Sequence, residues 1–165
     1  LAKKIFKDKS NNFKYVLAID ISDERSFMHL DTVMTRVDHK KFAVHSRVMD
    51  VSTIYEITDA GNGELKIVEL RSGLDKVLEK YLHIDKVELI KCGNGKRIAA
   101  EREQWSDGVN FVCVRPGVVI GYDRNFVTNA TLKKHGVKVI EIPSCELSRG
   151  RGGPQCMSMA LIRED

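Results

Sequence analysis

The apolar period of this chain changes twice, and that change limits the possible folds more than any other feature. Leu74, Val77, Leu78, Tyr81 and Leu82 fall at helical spacing with charged residues between them. Before them the apolar residues come in strand-length runs at residues 15–21, 27–37, 41–48 and 65–70, with strict alternation at 53–58 (TIYEIT). The polar trio Asp38, His39 and Lys40 predicts a hairpin between the second and third runs, and DAGNG at residues 59–63 is the strongest turn signal. After the helix, residues 87–90 return to strand.

A second block echoes the first. Residues 92–96 form a glycine-bearing loop, and 99–105 read as a short helix stopped by Asp107 and Gly108. Residues 111–114 and 118–122 make a hairpin turning at Pro116 and Gly117. Residues 126–134 follow as a helix closed by Gly136, a natural left-handed cap. Strands at 137–142 and 157–162 complete the reading. Strand pairs followed by a helix and a strand predict an α/β chain with antiparallel pairs, not a doubly wound parallel sheet. At 165 residues the chain reads as one domain, 1–165.

Charge and cysteine content narrow the class further. The net charge of +4 is spread over separate lysine pairs, as on a solvated surface, so no nucleic-acid partner is expected. No apolar run is long enough to span a membrane, and the basic start lacks the apolar core of a signal peptide. The chain starts without methionine, as a piece of a longer protein would. Cys92, Cys113, Cys145 and Cys156 show no CxxC spacing and no zinc-ligand pattern, so a reduced cytoplasmic protein with no metal or cofactor is expected.

Three places could carry chemistry. The first is Cys156, which follows Arg149, Gly150, Arg151, Gly152, Gly153 and Pro154. Glycines allow close approach of a ligand, and the two arginines would favour a thiolate. The alternative is a surface loop leading into a terminal strand with a buried, inert thiol. The second place is the His29–Leu30–Asp31 pair. On a strand, His29 and Asp31 would share one face, as a base beside a cation-holding anion, part of a metal site, or a surface ion pair. The third, residues 102–108, reads as structural, with Trp105 as a core or edge anchor. A single Arg-Gly-Gly run at 151–153 and the partial phosphate loop at 92–96 read as ordinary loops.

The motifs His29–Leu30–Asp31, REQW at 102–105, DGVN at 107–110, PGVVIGYDRN at 116–125 and RGRGGPQCMSM at 149–159 occur in one order. In that order they resemble the arginine deiminases, from about Lys14 onward. The resemblance implies a pentein fold, a propeller of ββαβ modules around a substrate channel, of which this chain would supply the last two or three. It implies Cys156 as nucleophile on the guanidinium carbon, His29 as general acid/base, and Asp31 as a guanidinium-gripping carboxylate. It also implies substrate contacts at Gly150 and Arg151, with L-arginine as substrate.

Family members are more than twice this length. The second gripping aspartate, the glutamate that orients the histidine and the carboxylate-binding residues have no counterpart upstream of His29. Gln155, Ala160 and residues 94–97 also depart from the family pattern. Two expectations follow. One is a deiminase portion that is inactive alone and works with an amino-terminal companion or as a homo-oligomer. The other is a degenerate relative that persists as a binding module.

Overall fold

The computed structural model describes residues 1–51, 53–150 and 152–162. The chain begins with α1 (Ala2–Lys7) and β1 (Val16–Ile19), then a 3-10 turn at Leu30–Thr32. Next come β2 (Met34–Arg36), β3 (Lys41–Val44), α2 (Ser46–Val51), β4 (Ile54–Gly61), β5 (Glu64–Leu70), α3 (Leu74–Leu82) and β6 (Glu88–Lys91). A 3-10 turn at Cys92–Gly95 leads into α4 (Arg97–Gln104). The last elements are β7 (Val112–Arg115), β8 (Val118–Tyr122), α5 (Phe126–Lys134), β9 (Lys138–Ile142) and a 3-10 turn at Leu147–Gly150.

The described strands form small sheets, which makes this a mixed α/β chain. Two of them are built alike. In β2-β3-β6 the first pair is antiparallel, with Thr35 opposite Ala43, and the second is parallel, with Phe42 opposite Leu89. In β7-β8-β9 the first pair is again antiparallel and the second parallel, with Ile120 opposite Ile140. Parallel neighbours need a crossover, supplied by α5 in the second sheet and by a longer excursion through α2, β4, β5 and α3 in the first. The excursion carries the hairpin of β4 and β5, to which β1 adds antiparallel. Its turn sits at Asn62 and Gly63, both at positive φ, where DAGNG placed it.

Strand β3 divides the interior. Phe42 and Val44 enter one core with Leu74, Val77, Leu78 and Tyr81 of α3, while Ala43 enters a second with Ile90, Phe111, Val119 and Leu132. Alternate residues of a strand face opposite ways, so one strand can serve two cores. The helical spacing read between Leu74 and Leu82 is therefore the face that closes the first core.

Three of the expected strands differ. The run 27–37 is not one strand: the Thr32 hydroxyl donates to the His29 carbonyl (2.6 Å) and folds residues 30–32 into a turn before β2. The strand expected at 41–48 stops at Val44, and Ser46 begins α2. Residues 157–162 form no strand, and Met159, Leu161 and Ile162 are exposed.

In segment 102–108 the buried anchor is Glu103 and not Trp105. Trp105 is 67% exposed, whereas Glu103 is 1% exposed. The Glu103 carboxylate accepts hydrogen bonds from the Val127 and Thr128 backbone N–H groups (2.9 Å each) and the Thr128 hydroxyl (2.6 Å). It also meets Arg102 at 3.1 Å. Those N–H groups open α5 and have no helical partner, so an anion there satisfies them and complements the helix dipole. Glu103→Ala strands these buried donors, and we expect a loss of about 3 kcal/mol, against about 1 kcal/mol for Glu103→Gln, which keeps an acceptor. Urea unfolding of the two variants measures both; equal losses would show that the hydrogen bonds are not what Glu103 contributes.

Candidate active site

The Leu30–Thr32 turn, the segment after α4, and the stretch after the Leu147–Gly150 turn converge at one end of the second core. Gln104 fixes the first of these. Its side-chain Nε2 donates to the Ser26 carbonyl (2.8 Å) and the Thr32 carbonyl (2.9 Å), so one amide grips both ends of the segment that carries His29 and Asp31.

Asn110, fully buried, joins that segment to the cysteine. Its Nδ2 donates to the Asp31 carbonyl (3.1 Å) and to Asp31 Oδ2 (3.2 Å), while its Oδ1 accepts from the Cys156 backbone N–H (3.1 Å). The cysteine sulfur then stands 3.8 Å from Asp31 Oδ2, across 125 residues of sequence. Gly153 lies against the same amide: a Cβ there would sit 2.3 Å from Asn110 Oδ1. The Gly152 carbonyl accepts from the Tyr122 hydroxyl (2.8 Å), which holds the loop onto β8.

The residues expected from the sequence are placed unevenly. Asp31 and Cys156 come together. His29 and Asp31 do not share a strand face, because both lie on the 3-10 turn and its entry. His29 is exposed at the head of that turn, and among the described residues it makes no hydrogen bond to Cys156. Gly150 ends its turn facing open space. Arg151 lies outside the described residues.

Cys156 is exposed, which removes the buried, inert alternative. The expected activation by neighbouring arginine is also corrected where it can be followed. Arg149 reaches Glu146 at 3.4 Å. Partial burial pushes the Cys156 thiol above its ordinary value; the Gly153 backbone opposes this, the Asp31 and Asp107 carboxylates reinforce it, and the Asn110 side chain opposes it. Asp107 is itself raised, first by burial and then by Asp31. Among the described residues the thiol thus has carboxylate neighbours that favour its protonated form.

Asn110 was not singled out from sequence, Gln104 and Asp107 were read only as parts of a structural segment, and Gly153 only as a loop glycine. DGVN was visible as a motif but carried no role. The only local signal is Asp107 before Gly108, at a φ of 55° that aspartate and asparagine tolerate better than most residues. Beside the site a cleft of about 380 Å³ opens, lined by Arg25, Thr32, Gln104, Trp105 and Asp107 among others. Exposed Trp105 forms part of that wall.

Asp107→Asn keeps the backbone geometry and removes one charge. The carboxylate is harder to ionise folded than unfolded, so it costs stability as pH rises above the ordinary carboxylate range. We therefore expect Asp107→Asn to raise the melting temperature at pH 7, with the gain vanishing below about pH 3. The pH midpoint of Cys156 alkylation should fall in the same variant. An unchanged alkylation profile would mean that Asp107 does not act on the thiol.

The whole chain also has recognisable relatives. The family model for arginine deiminase matches residues 1–163. Over 100% of this chain, identity is 51% to an arginine deiminase of Treponema denticola and 51% to one of Staphylococcus epidermidis. It is 50% to one of Clostridium perfringens. The chain spans about 40% of the length of these curated relatives. The chain belongs to the arginine deiminase family.

Proposed function

We propose that this chain supplies the nucleophile side of an arginine deiminase site. The observation that carries this reading is the 3.8 Å approach of Cys156 Sγ to Asp31 Oδ2, braced by Asn110. An anionic carboxylate beside a protonated thiol suits a cationic substrate. Guanidinium would neutralise the carboxylate, lower the cost of forming thiolate and present its carbon to sulfur.

In this reading Cys156 passes its thiol proton to His29, and the resulting thiolate attacks the guanidinium carbon of L-arginine. The tetrahedral adduct expels ammonia, which takes its proton from His29, and leaves an amidino group on sulfur. His29 then removes a proton from water as the oxygen attacks that carbon. Collapse breaks the carbon–sulfur bond and releases citrulline and the thiolate. Asp31 grips one edge of the guanidinium, and Gly150 and Arg151 contact the substrate from the loop. Exposure of His29 leaves its ring able to turn toward such a substrate.

The repeated antiparallel-then-parallel sheets support the pentein reading, with β2-β3-β6 and β7-β8-β9 as two ββαβ modules. Carboxylates on the far side of the guanidinium would come from elsewhere in a complete site. The companion would be the amino-terminal portion of an arginine deiminase or another copy of this chain. The reading places the protein in the cytoplasm; among the described residues no helix is long and apolar enough to cross a membrane.

Citrulline assays of the chain alone, and of the chain mixed with an amino-terminal deiminase portion, test this. We expect no turnover alone, because losing a charged partner at the reacting group costs several kcal/mol, about a thousand-fold or more in rate. We expect turnover in the mixture that Cys156→Ser abolishes. Turnover that survives Cys156→Ser would remove the nucleophile assignment.

A further inference from the structure

We propose that Asn110 is a positioning residue, whose side-chain amide holds the Asp31 carboxylate in register with Cys156. This rests on the reading of Cys156 as nucleophile, but the brace itself is read from geometry. Both Nδ2 hydrogens are used on Asp31, one on its carbonyl and one on its carboxylate, at 3.1 and 3.2 Å. The oxygen takes the Cys156 N–H at 3.1 Å. Only one orientation of the amide does this, because the reverse would aim a donor at an N–H and an oxygen at two oxygens.

Three features make Asn110 more than a structural amide. It is 0% exposed, so its hydrogen bonds are not exchanged for water. It touches both groups that would face the substrate, on segments with no sequence proximity. It is also held from behind, because Gly153 leaves no room for a side chain against Oδ1 and Cβ (2.3 and 2.6 Å). Its neighbour Val109 accepts from the Thr35 hydroxyl at 2.6 Å, which pins the backbone one residue away. Asparagine at this position, in place of aspartate, also avoids a third carboxylate beside Asp31 and Asp107.

The consequence is coupling. Asp31 acts on the thiol only from where Asn110 holds it, so removing Asn110 should also remove the influence of Asp31. Among the described residues, the groups that act on the thiol from the packed segments are Asp31 and Asp107, with the Gly153 backbone and Asn110 as hydrogen-bonding neighbours. The Tyr122 hydroxyl is in turn affected by the cysteine.

A double-mutant cycle on the full chain reads this without turnover. Iodoacetamide alkylation of Cys156 is followed against pH by peptide mass spectrometry, which separates it from Cys113 and Cys145. Asp31→Asn alone should speed alkylation at pH 7 by about three-fold, because an anion beside the thiol is gone. In an Asn110→Ala background the same substitution should change the rate by about 1.5-fold or less. Where Asn110→Ala fails to fold, Gly153→Ala, which displaces the amide from the other side, and Asn110→Ser serve in its place. Circular dichroism establishes folding in each case. A residue that only stabilised the fold would lower the melting temperature and leave the Asp31→Asn factor unchanged. Equal factors in both backgrounds would overturn the proposal. Coupled factors, together with citrulline formation that survives Cys156→Ser, would keep the brace and remove the nucleophile reading. Additive factors with abolished citrulline formation would do the reverse.

Discussion

Both faces of β3 are buried, and the rest of the architecture depends on that constraint. A strand flanked by two cores can vary little, since Phe42 and Val44 answer to α3 while Ala43 answers to the interior of the second unit. Because β3 is fixed, its edge partner β2 is fixed, and β2 is where the second unit attaches. The Thr35 hydroxyl reaches the Val109 carbonyl (2.6 Å) and the Gly117 N–H reaches the Val37 carbonyl (2.9 Å). At the same junction the Lys41 ammonium donates to the His135 carbonyl at 2.6 Å. Asn110 follows Val109 directly, so the sheet edge that joins the two units also delivers the amide to Asp31.

Three polar residues buried in this second unit each close a backbone that would otherwise be left open. Glu103 closes the start of α5, Gln104 closes the ends of the segment 26–32, and Asn110 closes the gap between that segment and the cysteine loop. Thr128 serves twice, donating to Glu103 and accepting the Gly93 N–H at 2.8 Å. Partners offset the cost of burying such groups, and for these three residues they lie on segments distant in sequence. The same burial acts on the inert thiol: Cys92, packed in the second core, is pushed to about 12 by desolvation. Cys156, by contrast, is exposed beside carboxylates, where a ligand can reach it.

Periodicity made the packed elements legible. The helices at 74–82 and 126–134, the hairpin at Pro116 and Gly117 and the strand 118–122 all fall where apolar spacing and turn residues put them. Family motifs pointed to Cys156 and Asp31, which the fold brings together. Periodicity failed where apolar side chains are not buried. Met28 and Leu30 lengthened an apparent strand, yet both are exposed, and a single threonine hydroxyl turned the chain between them and β2. Met159, Leu161 and Ile162 imitated a terminal strand that has no partner among the described residues. Trp105 invited a core reading on size alone. The brace at Asn110 left no trace in spacing, because its contacts run to residues 79 positions before it and 46 after it.

Two shifts at the site share one sign. Burial and then Asp31 raise Asp107, and burial, with Asp31 and Asp107, raises Cys156, so these two groups hold a proton more tightly than they would in water. Among the described residues the groups that act on the Cys156 thiol by charge are carboxylates, although the chain as a whole carries +4. The lysines that produce the excess lie on the solvated surface, and the Arg149 side chain turns to Glu146. A proton is the smallest cation that can settle such a cluster. A planar guanidinium is a better match, since it offers several donors to the carboxylates at once and needs no deprotonated partner. Its arrival would release the thiol proton at the moment its carbon comes within reach of sulfur. In the proposed reading, the carboxylates that favour the protonated thiol are therefore the same feature that selects a cationic substrate.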